Sequence, residues 1–208
     1  MSRVTAPTRI WLIRHALVAE YARAVLYGTR DVPLCDATLA AQGAAYASLA
    51  RRLPQPAHWL VTPLARTRLT AEAIFRAGYP ATALVEEPDL IEQHLGDWQG
   101  LPHAELPARL RLPAHPFWPH AGEEQPPGGE SFAQVTARVG AALERIAVAK
   151  AGQDVVAVSH GGAIRAAIGH ALGLTPHATL ALSVVNLSLT GLERHPGGWR
   201  VVCVNTPP

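Results

Sequence analysis

The sequence predicts an α/β fold: a three-layer α/β/α sandwich with a mostly parallel sheet and a short Pro-rich lid insertion. Three observations carry this. Residues 10–13, 59–61 and 155–158 are short, unbroken apolar runs, the pattern of strands buried on both faces. The stretches between them place apolar residues at helical spacing. Seven prolines crowd between Pro102 and Pro127, where no long element fits. At 208 residues, 49% of them hydrophobic and 16% charged, the chain has the size and composition of one packed domain. The expected domain is 1–208, with the lid at about 101–130.

Residues 9–13 are the expected first strand, followed by a loop through Tyr27-Gly28-Thr29-Arg30-Asp31-Val32-Pro33-Leu34. Thr38 can cap a helix running to about Arg52, with Leu39, Gly43, Tyr46, Ala50 and Leu53 along one side. Residues 59–61 form the second buried strand. Thr62 and Pro63 then read as a cap and a first-position proline, opening a helix that turns Leu64, Ala71, Ile74 and Phe75 inward and stops at Gly78. A short strand fits residues 84–86, and a short helical stretch fits 104–110 inside the lid. Ser131 and Gln134 have capping-box spacing ahead of a helix that presents Phe132, Val135, Val139, Leu143 and Ile146. Residues 154–159 are the next strand. A helix over 163–172 has Ile164, Ile168 and Leu172 on one face and ends at Gly173. Strands near 182–189 and 199–204 complete the chain.

A formal charge of +2, with no basic run and no aromatic-interleaved basic stripe, gives nucleic-acid binding little support. It is enough for a modest positive field around an anionic substrate. Cys35 and Cys203 form no CxxC, so they read as reduced thiols of a cytoplasmic protein. No apolar stretch reaches membrane-spanning length, and residues 10–13 are too short for a signal peptide. Nucleic acid and membrane are not expected partners; a homodimer is left open.

Two histidines follow apolar strands directly. His15 comes after Arg14 at the end of the first run, and His160-Gly161-Gly162 follows residues 155–159. In open α/β sheets ligands bind at the carboxyl ends of the strands, so this arrangement points to phosphate chemistry. A phosphate monoester repels anionic nucleophiles, which suits a neutral imidazole as attacker. Arginines such as Arg14 and Arg66 offer forked donors to the charge that builds on the phosphoryl oxygens, and His160 could add another donor. The leaving alcohol needs a proton, which a carboxylic acid can give. No Walker-type loop is present, and the chemistry requires no metal.

Four patterns occur in order: Leu12-Ile13-Arg14-His15-Ala16, Thr62-Pro63-Leu64-Ala65-Arg66-Thr67-Arg68, Leu90-Ile91-Glu92-Gln93-His94-Leu95-Gly96-Asp97-Trp98-Gln99-Gly100, and Val158-Ser159-His160-Gly161-Gly162-Ala163-Ile164-Arg165. Together with Tyr27-Gly28, Asp31-Val32-Pro33-Leu34 and Pro127-Gly128-Gly129-Glu130-Ser131, they resemble the histidine phosphatase superfamily, the phosphoglycerate-mutase-like fold, over nearly the whole chain. The resemblance implies a nucleophilic His15 that becomes phosphohistidine and is then cleaved by water. It implies Glu92 as the acid for the leaving group and then the base for water, with Arg14, Arg66 and His160 holding phosphate and His160 stabilising the transition state. It implies no cofactor and no metal. It selects Arg66 over Arg68, and Glu92 over Glu86, Glu87, Asp89 and Asp97. Within the superfamily, the 27–34 segment and the compact lid look most like the alpha-ribazole phosphatases of cobalamin biosynthesis, which implies alpha-ribazole 5′-phosphate as substrate. The alternatives are mutase-type phosphotransfer and a phosphate-binding pseudo-enzyme.

The chain departs from the family pattern at three positions. Ala16 stands where glycine is usual, and Val18 and Tyr21 stand where polar phosphate contacts are usual. If position 16 required φ > 0, alanine would cost about 1 kcal/mol. Arg68 reads as a surface or ion-pair residue, and Arg165 as a helix-surface charge. His94, His103, His115 and His120 read as exposed lid residues without metal-ligand spacing. Trp98 and Trp118 read as packing residues.

Overall fold

The computed structural model describes residues 6–208. Strands β1 (Thr8–Arg14), β2 (His58–Val61), β3 (Leu84–Glu86), β4 (Asp154–Ser159), β5 (Leu189–His195) and β6 (Gly198–Thr206) form one sheet in the order β3-β2-β4-β1-β5-β6. The first four strands in that order run parallel. The last two are added antiparallel.

Successive side chains of a strand point to opposite faces. The continuous apolar runs therefore feed two cores at once. Ile10, Leu12, Val155 and Ala157 meet Phe132, Val135, Val139 and Leu143 of helix α5 (Phe132–Ala149) and Ile164 and Ile168 of helix α6 (Gly161–Leu172). On the other face, Ile13, Trp59, Val61, Val156 and Val158 meet Tyr46 and Leu49 of helix α3 (Gly43–Arg52) and Ala71 and Ile74 of helix α4 (Ala65–Arg76). Each fully buried aliphatic side chain contributes about 1.5–3 kcal/mol of transfer free energy, so the parallel strands form the stable frame for whatever follows their ends. The remaining helices are short: α1 (Glu20–Arg23), α2 (Asp36–Ala41) and α7 (Pro176–Thr179).

Several local expectations need correcting. The helix expected from Thr38 to Arg52 is two helices, α2 and α3, broken at Gln42 (φ −94°, ψ 21°) just before the poor helix former Gly43. The first of them opens at Asp36, so Thr38 lies inside it rather than capping it. Thr62 does not cap α4, whose N-cap is Leu64; its hydroxyl is used elsewhere. Residues 182–188 are not a strand. They fold back through a left-handed Leu187 (φ 61°), and pairing begins only at Leu189. The capping box of Ser131 and Gln134 and the left-handed Gly173 stop (φ 64°) are present as expected.

The segment 101–130 holds one regular piece, a 3₁₀ stretch over His103–Arg109 with Pro107 inside it, a residue that excludes a continuous α-helix. Leu106 packs on Leu26, Leu95 and Trp98 in a small third cluster. The buried carboxylate of Glu124 accepts the backbone N–H groups of Arg111 and Leu112 (2.7–3.2 Å). The segment thus has its own fastenings beside the ends of the parallel strands.

Candidate active site

Register places the two histidines together. In the β1–β4 pairing Arg14 faces Ser159, so the next residues, His15 and His160, leave adjacent strand ends side by side. The His15 N–H donates to the Ser159 carbonyl (2.9 Å), and the two imidazole centroids lie 5.2 Å apart. Both rings are buried.

His15 Nδ1 lies 2.7 Å from the carbonyl of Ala16. A carbonyl only accepts, so Nδ1 carries the proton and Nε2 keeps its lone pair. Burial, then the nearby Arg66 and Arg14, hold the imidazole well below its ordinary pKa. It is therefore a neutral base at neutral pH. Two side chains fix its backbone: the Asn186 amide donates to the His15 carbonyl (2.8 Å), and Thr70 Oγ1 accepts the Ala16 N–H (3.0 Å). Among the described non-glycine residues, only Leu187 and Asn205 have positive φ. Ala16 is therefore unstrained, and its departure from glycine costs nothing here.

His160 is held from both sides. Arg66 Nε donates to its Nδ1 (3.4 Å), which leaves Nε2–H to face Thr62 Oγ1 at 2.9 Å. Burial first, then Arg66, His15 and Arg14, lower its pKa well below the ordinary value. Arg66 is wholly buried and also donates to the carbonyls of Arg30 (2.7 Å) and Gly28 (2.8 Å). It thereby ties the 27–31 loop down beside the histidines. Gln99 fastens the same loop through the N–H and hydroxyl of Thr29. Arg68 faces outward onto Glu86, an exposed ion pair.

Arg14 Nη1 donates to the Val184 carbonyl (2.6 Å), whereas its Nε is buried with no partner. An unmade bond on a buried cationic donor is costly unless a ligand completes it. A Cβ on Gly161 would stand 3.3 Å from both Arg14 Nε and Cζ, so glycine at the start of α6 leaves the guanidinium its room. Glu92 reaches the same helix end, its Oε2 accepting the Gly162 N–H (3.2 Å) and its Oε1 the Gln93 N–H (3.0 Å). Helix N-termini favour anions for the same dipolar reason.

Over these groups lies a cavity of about 240 Å³, lined by Arg14, Glu92, Gly161 and Arg165 and walled by Val25, Leu26, Leu95 and Trp118. Of the residues expected at the site, Arg14 and Glu92 line this cavity, whereas His15, Arg66 and His160 are buried and are not part of its lining. Val18 and Tyr21 do not line it either. Val18 is buried beside Leu34, and Tyr21 points to solvent.

Four residues went unassigned by sequence reasoning. Asn186 carries no local signal, and the local signal at Thr62 is that of a helix cap. Arg165 is buried beside the cavity rather than on the helix surface, and its i+4 spacing from Gly161 was the available clue. Trp118 is a cavity wall as well as a packing residue. Two lid histidines also differ from expectation. His115 and His120 are buried, His120 accepting the Trp118 indole N–H (3.2 Å); His94 and His103 are exposed. Among the described residues, no three His, Cys, Asp or Glu side chains are grouped to hold a metal ion, and no helix is long and apolar enough to cross a membrane.

Comparison with known proteins gives the family. The model of the histidine phosphatase superfamily (branch 1) matches residues 10–207. A bifunctional protein of Mycobacterium tuberculosis is 37% identical over 155 residues, 74% of this chain and 41% of that protein, so the chain spans well under half of that relative's length. A metal-independent phosphoserine phosphatase of Arabidopsis thaliana is 32% identical over 160 residues, 76% of this chain and 66% of that protein. Among solved structures, a mycobacterial glucosyl-3-phosphoglycerate phosphatase superposes with a TM-score of 0.81 at 28% identity, covering 96% of this chain and 99% of the other. A proposed alpha-ribazole-5′-P phosphatase of Escherichia coli superposes with a TM-score of 0.78 at 20% identity, covering 97% and 98%, a likeness of fold alone.

Proposed function

Since the chain belongs to the histidine phosphatase superfamily, we propose that it is a metal-independent phosphomonoesterase that hydrolyses a small phosphorylated metabolite through a phosphohistidine on His15. The observation that carries this is the pairing of a neutral, tautomer-fixed His15 with an orphaned cationic donor on Arg14. Phosphatases among its relatives support the reaction class. In this reading the whole chain acts as one catalytic domain in the cytoplasm, with segment 101–130 covering the site.

The chemistry follows from the contacts. His15 Nε2 attacks phosphorus, and the ester P–O bond breaks. The leaving oxygen takes a proton from the Glu92 carboxyl. The charge on the phosphoryl oxygens meets Arg14 and Arg66, and the His160 imidazole adds a donor when its Nε2–H exchanges Thr62 Oγ1 for a phosphoryl oxygen. Glu92, now a carboxylate, takes a proton from water as that water attacks phosphorus. The P–N bond then breaks, returning neutral His15 and releasing phosphate.

The test is phosphate release from 4-nitrophenyl phosphate and from alpha-ribazole 5′-phosphate in the presence of EDTA, with wild type beside His15→Ala. Release that survives EDTA and disappears in the variant supports the reading. Dependence on a bisphosphate primer would replace it with a mutase, and binding without release would replace it with a pseudo-enzyme. The alpha-ribazole ester is in the assay because of the 27–34 segment and the compact lid, and its rate relative to the aryl ester decides that narrower expectation.

A further inference from the structure

Glu92 lies outside any helix or strand. Residues 91–95 run irregularly between two short 3₁₀ turns, Pro88–Leu90 and Gly96–Trp98. Such a segment has no ladder of its own, so whatever fills its backbone hydrogen bonds sets where the Glu92 carboxyl lies. One ion pair fills them on both sides. Arg138, on α5, uses all three guanidinium nitrogens. Its Nε and Nη2 form a fork on the two carboxylate oxygens of Glu130 (2.8 and 2.9 Å). Its Nη1 donates to the carbonyls of Asp89 (2.8 Å) and Ile91 (3.2 Å). Glu130 holds the other side. Its Oε2 accepts the His94 N–H (3.0 Å), its own N–H donates to the His94 carbonyl (2.8 Å), and its carbonyl accepts the Gln93 side-chain amide (2.7 Å). Glycine at 129 permits this approach, since a Cβ there would stand 2.5 Å from the His94 carbonyl oxygen.

Residues 89 and 91 before Glu92, and 93 and 94 after it, are therefore tied to a single pair that does not line the cavity. The pair is largely buried, its side chains 19% and 26% exposed, where a two-bond fork outweighs an ordinary surface contact. Burial alone would raise the Glu130 carboxyl. The Arg138 fork and the His94 N–H outweigh it and hold the group below its ordinary pKa, so it stays a carboxylate at neutral pH. Of the two N–H groups that hold the Glu92 carboxyl, those of Gln93 and Gly162, the first belongs to the segment so fixed.

We propose that the Arg138–Glu130 pair positions the proton donor: it sets where the Glu92 carboxyl stands relative to the leaving oxygen, and itself touches neither substrate nor phosphate. This rests on the phosphatase reading, in which Glu92 is first the acid and then the base. Arg138 and Glu130 are positioning residues that act through Glu92.

The experiment compares 4-nitrophenyl phosphate with phenyl phosphate, two esters of similar shape whose leaving groups differ in their need for a proton. Arg138→Gln is expected to lower kcat/KM for phenyl phosphate by at least about tenfold and for 4-nitrophenyl phosphate by under about threefold. With the nitrophenyl ester kcat and KM should fall together, and a burst of 4-nitrophenolate should appear, because water attack on the phosphohistidine still needs Glu92 as base. Glu92→Gln supplies the cycle: on that background Arg138→Gln should cost under about threefold more on phenyl phosphate. An equal loss of kcat/KM on both esters, no loss on either, or the full loss repeated beside Glu92→Gln would overturn the inference. The charge of Arg138 also reaches His160, and an effect by that route would fall on both esters alike. If thermal melts show Arg138→Gln unfolded, Arg138→Lys and Glu130→Gln carry the same comparison. Lysine cannot span the carboxylate and both carbonyls, and glutamine keeps the shape of Glu130 without its charge. Each should weaken phenyl phosphate turnover selectively, by about threefold to tenfold, and an unselective loss would again overturn the inference. Phosphate release that persists in His15→Ala would sink the phosphatase reading itself. No loss on phenyl phosphate in Glu92→Gln, with His15 still essential, would leave that reading standing and remove the acid that the pair positions.

Discussion

Gly162→Ala should separate proton donation from the rest of the catalysis. A Cβ at this position would stand 2.3 Å from Glu92 Oε1, where about 3.3 Å is the closest comfortable approach, so the carboxyl must retreat by about 1 Å. In doing so it gives up the Gly162 N–H bond (3.2 Å) and swings off the Gln93 N–H (3.0 Å). A misplacement of that size costs about 10² in rate, and a general acid is worth about 10²–10⁴ in all. The helix itself does not suffer, because alanine is favoured over glycine in a helix by up to about 1 kcal/mol. The expected result is therefore a fall of about 10² in kcat/KM for an alkyl phosphate, whose alkoxide needs the proton. The fall should be under about tenfold for 4-nitrophenyl phosphate, whose phenolate leaves without it. The melting temperature should not drop. Steady-state kinetics on both esters, beside a thermal melt, make the check. Equal losses on the two esters would show that the methyl group disturbs the phosphate cradle instead, and no loss on either would remove Glu92 from the role of acid.

Three further outcomes follow from the same contacts. His15 and His160 are kept neutral in the folded protein by burial and by Arg66 and Arg14, whereas the unfolded chain titrates near the ordinary value of about 6.5. Below that pH the unfolded state binds more protons, so stability is full above about 6.5 and falls as pH drops toward the depressed folded values. Thermal melts between pH 7.5 and 5 should show the decline, and a flat profile would contradict it; the acid limb of kcat/KM should lie below 6.5 for the same reason. Thr62→Val keeps the side chain's shape but strips His160 Nε2–H of its acceptor, which should cost about 1–3 kcal/mol in denaturant melts and lower kcat. Ser131→Ala breaks the capping box of α5 and should cost about 1 kcal/mol with kcat unchanged; a loss of activity at full stability would be the wrong result.

The sequence by itself determined the frame and the family. Unbroken apolar runs require strands buried on both faces, and helical periodicities between them require layers on each side. Those two facts bring the ends of β1 and β4, with His15 and His160, to one edge of the sheet. Motif order supplied Arg14, Arg66 and Glu92. These features are legible because they rest on short-range pattern, on residue type and on spacing along one element. Only the tertiary structure decided the partners. The hydroxyl of Thr62, which looked like a helix cap, is spent on His160. Arg66 holds the 27–31 loop as well as His160. Arg165, which looked like a surface charge, is buried under Trp118 from the lid, and His120 is buried with it. Asn186 reaches back across most of the chain to the His15 carbonyl. Apart from the Trp118–His120 bond, each of these contacts joins residues far apart in sequence and has no period to betray it. Which donor meets which acceptor is set by the packing of whole elements against one another, and that is fixed only when the chain has closed.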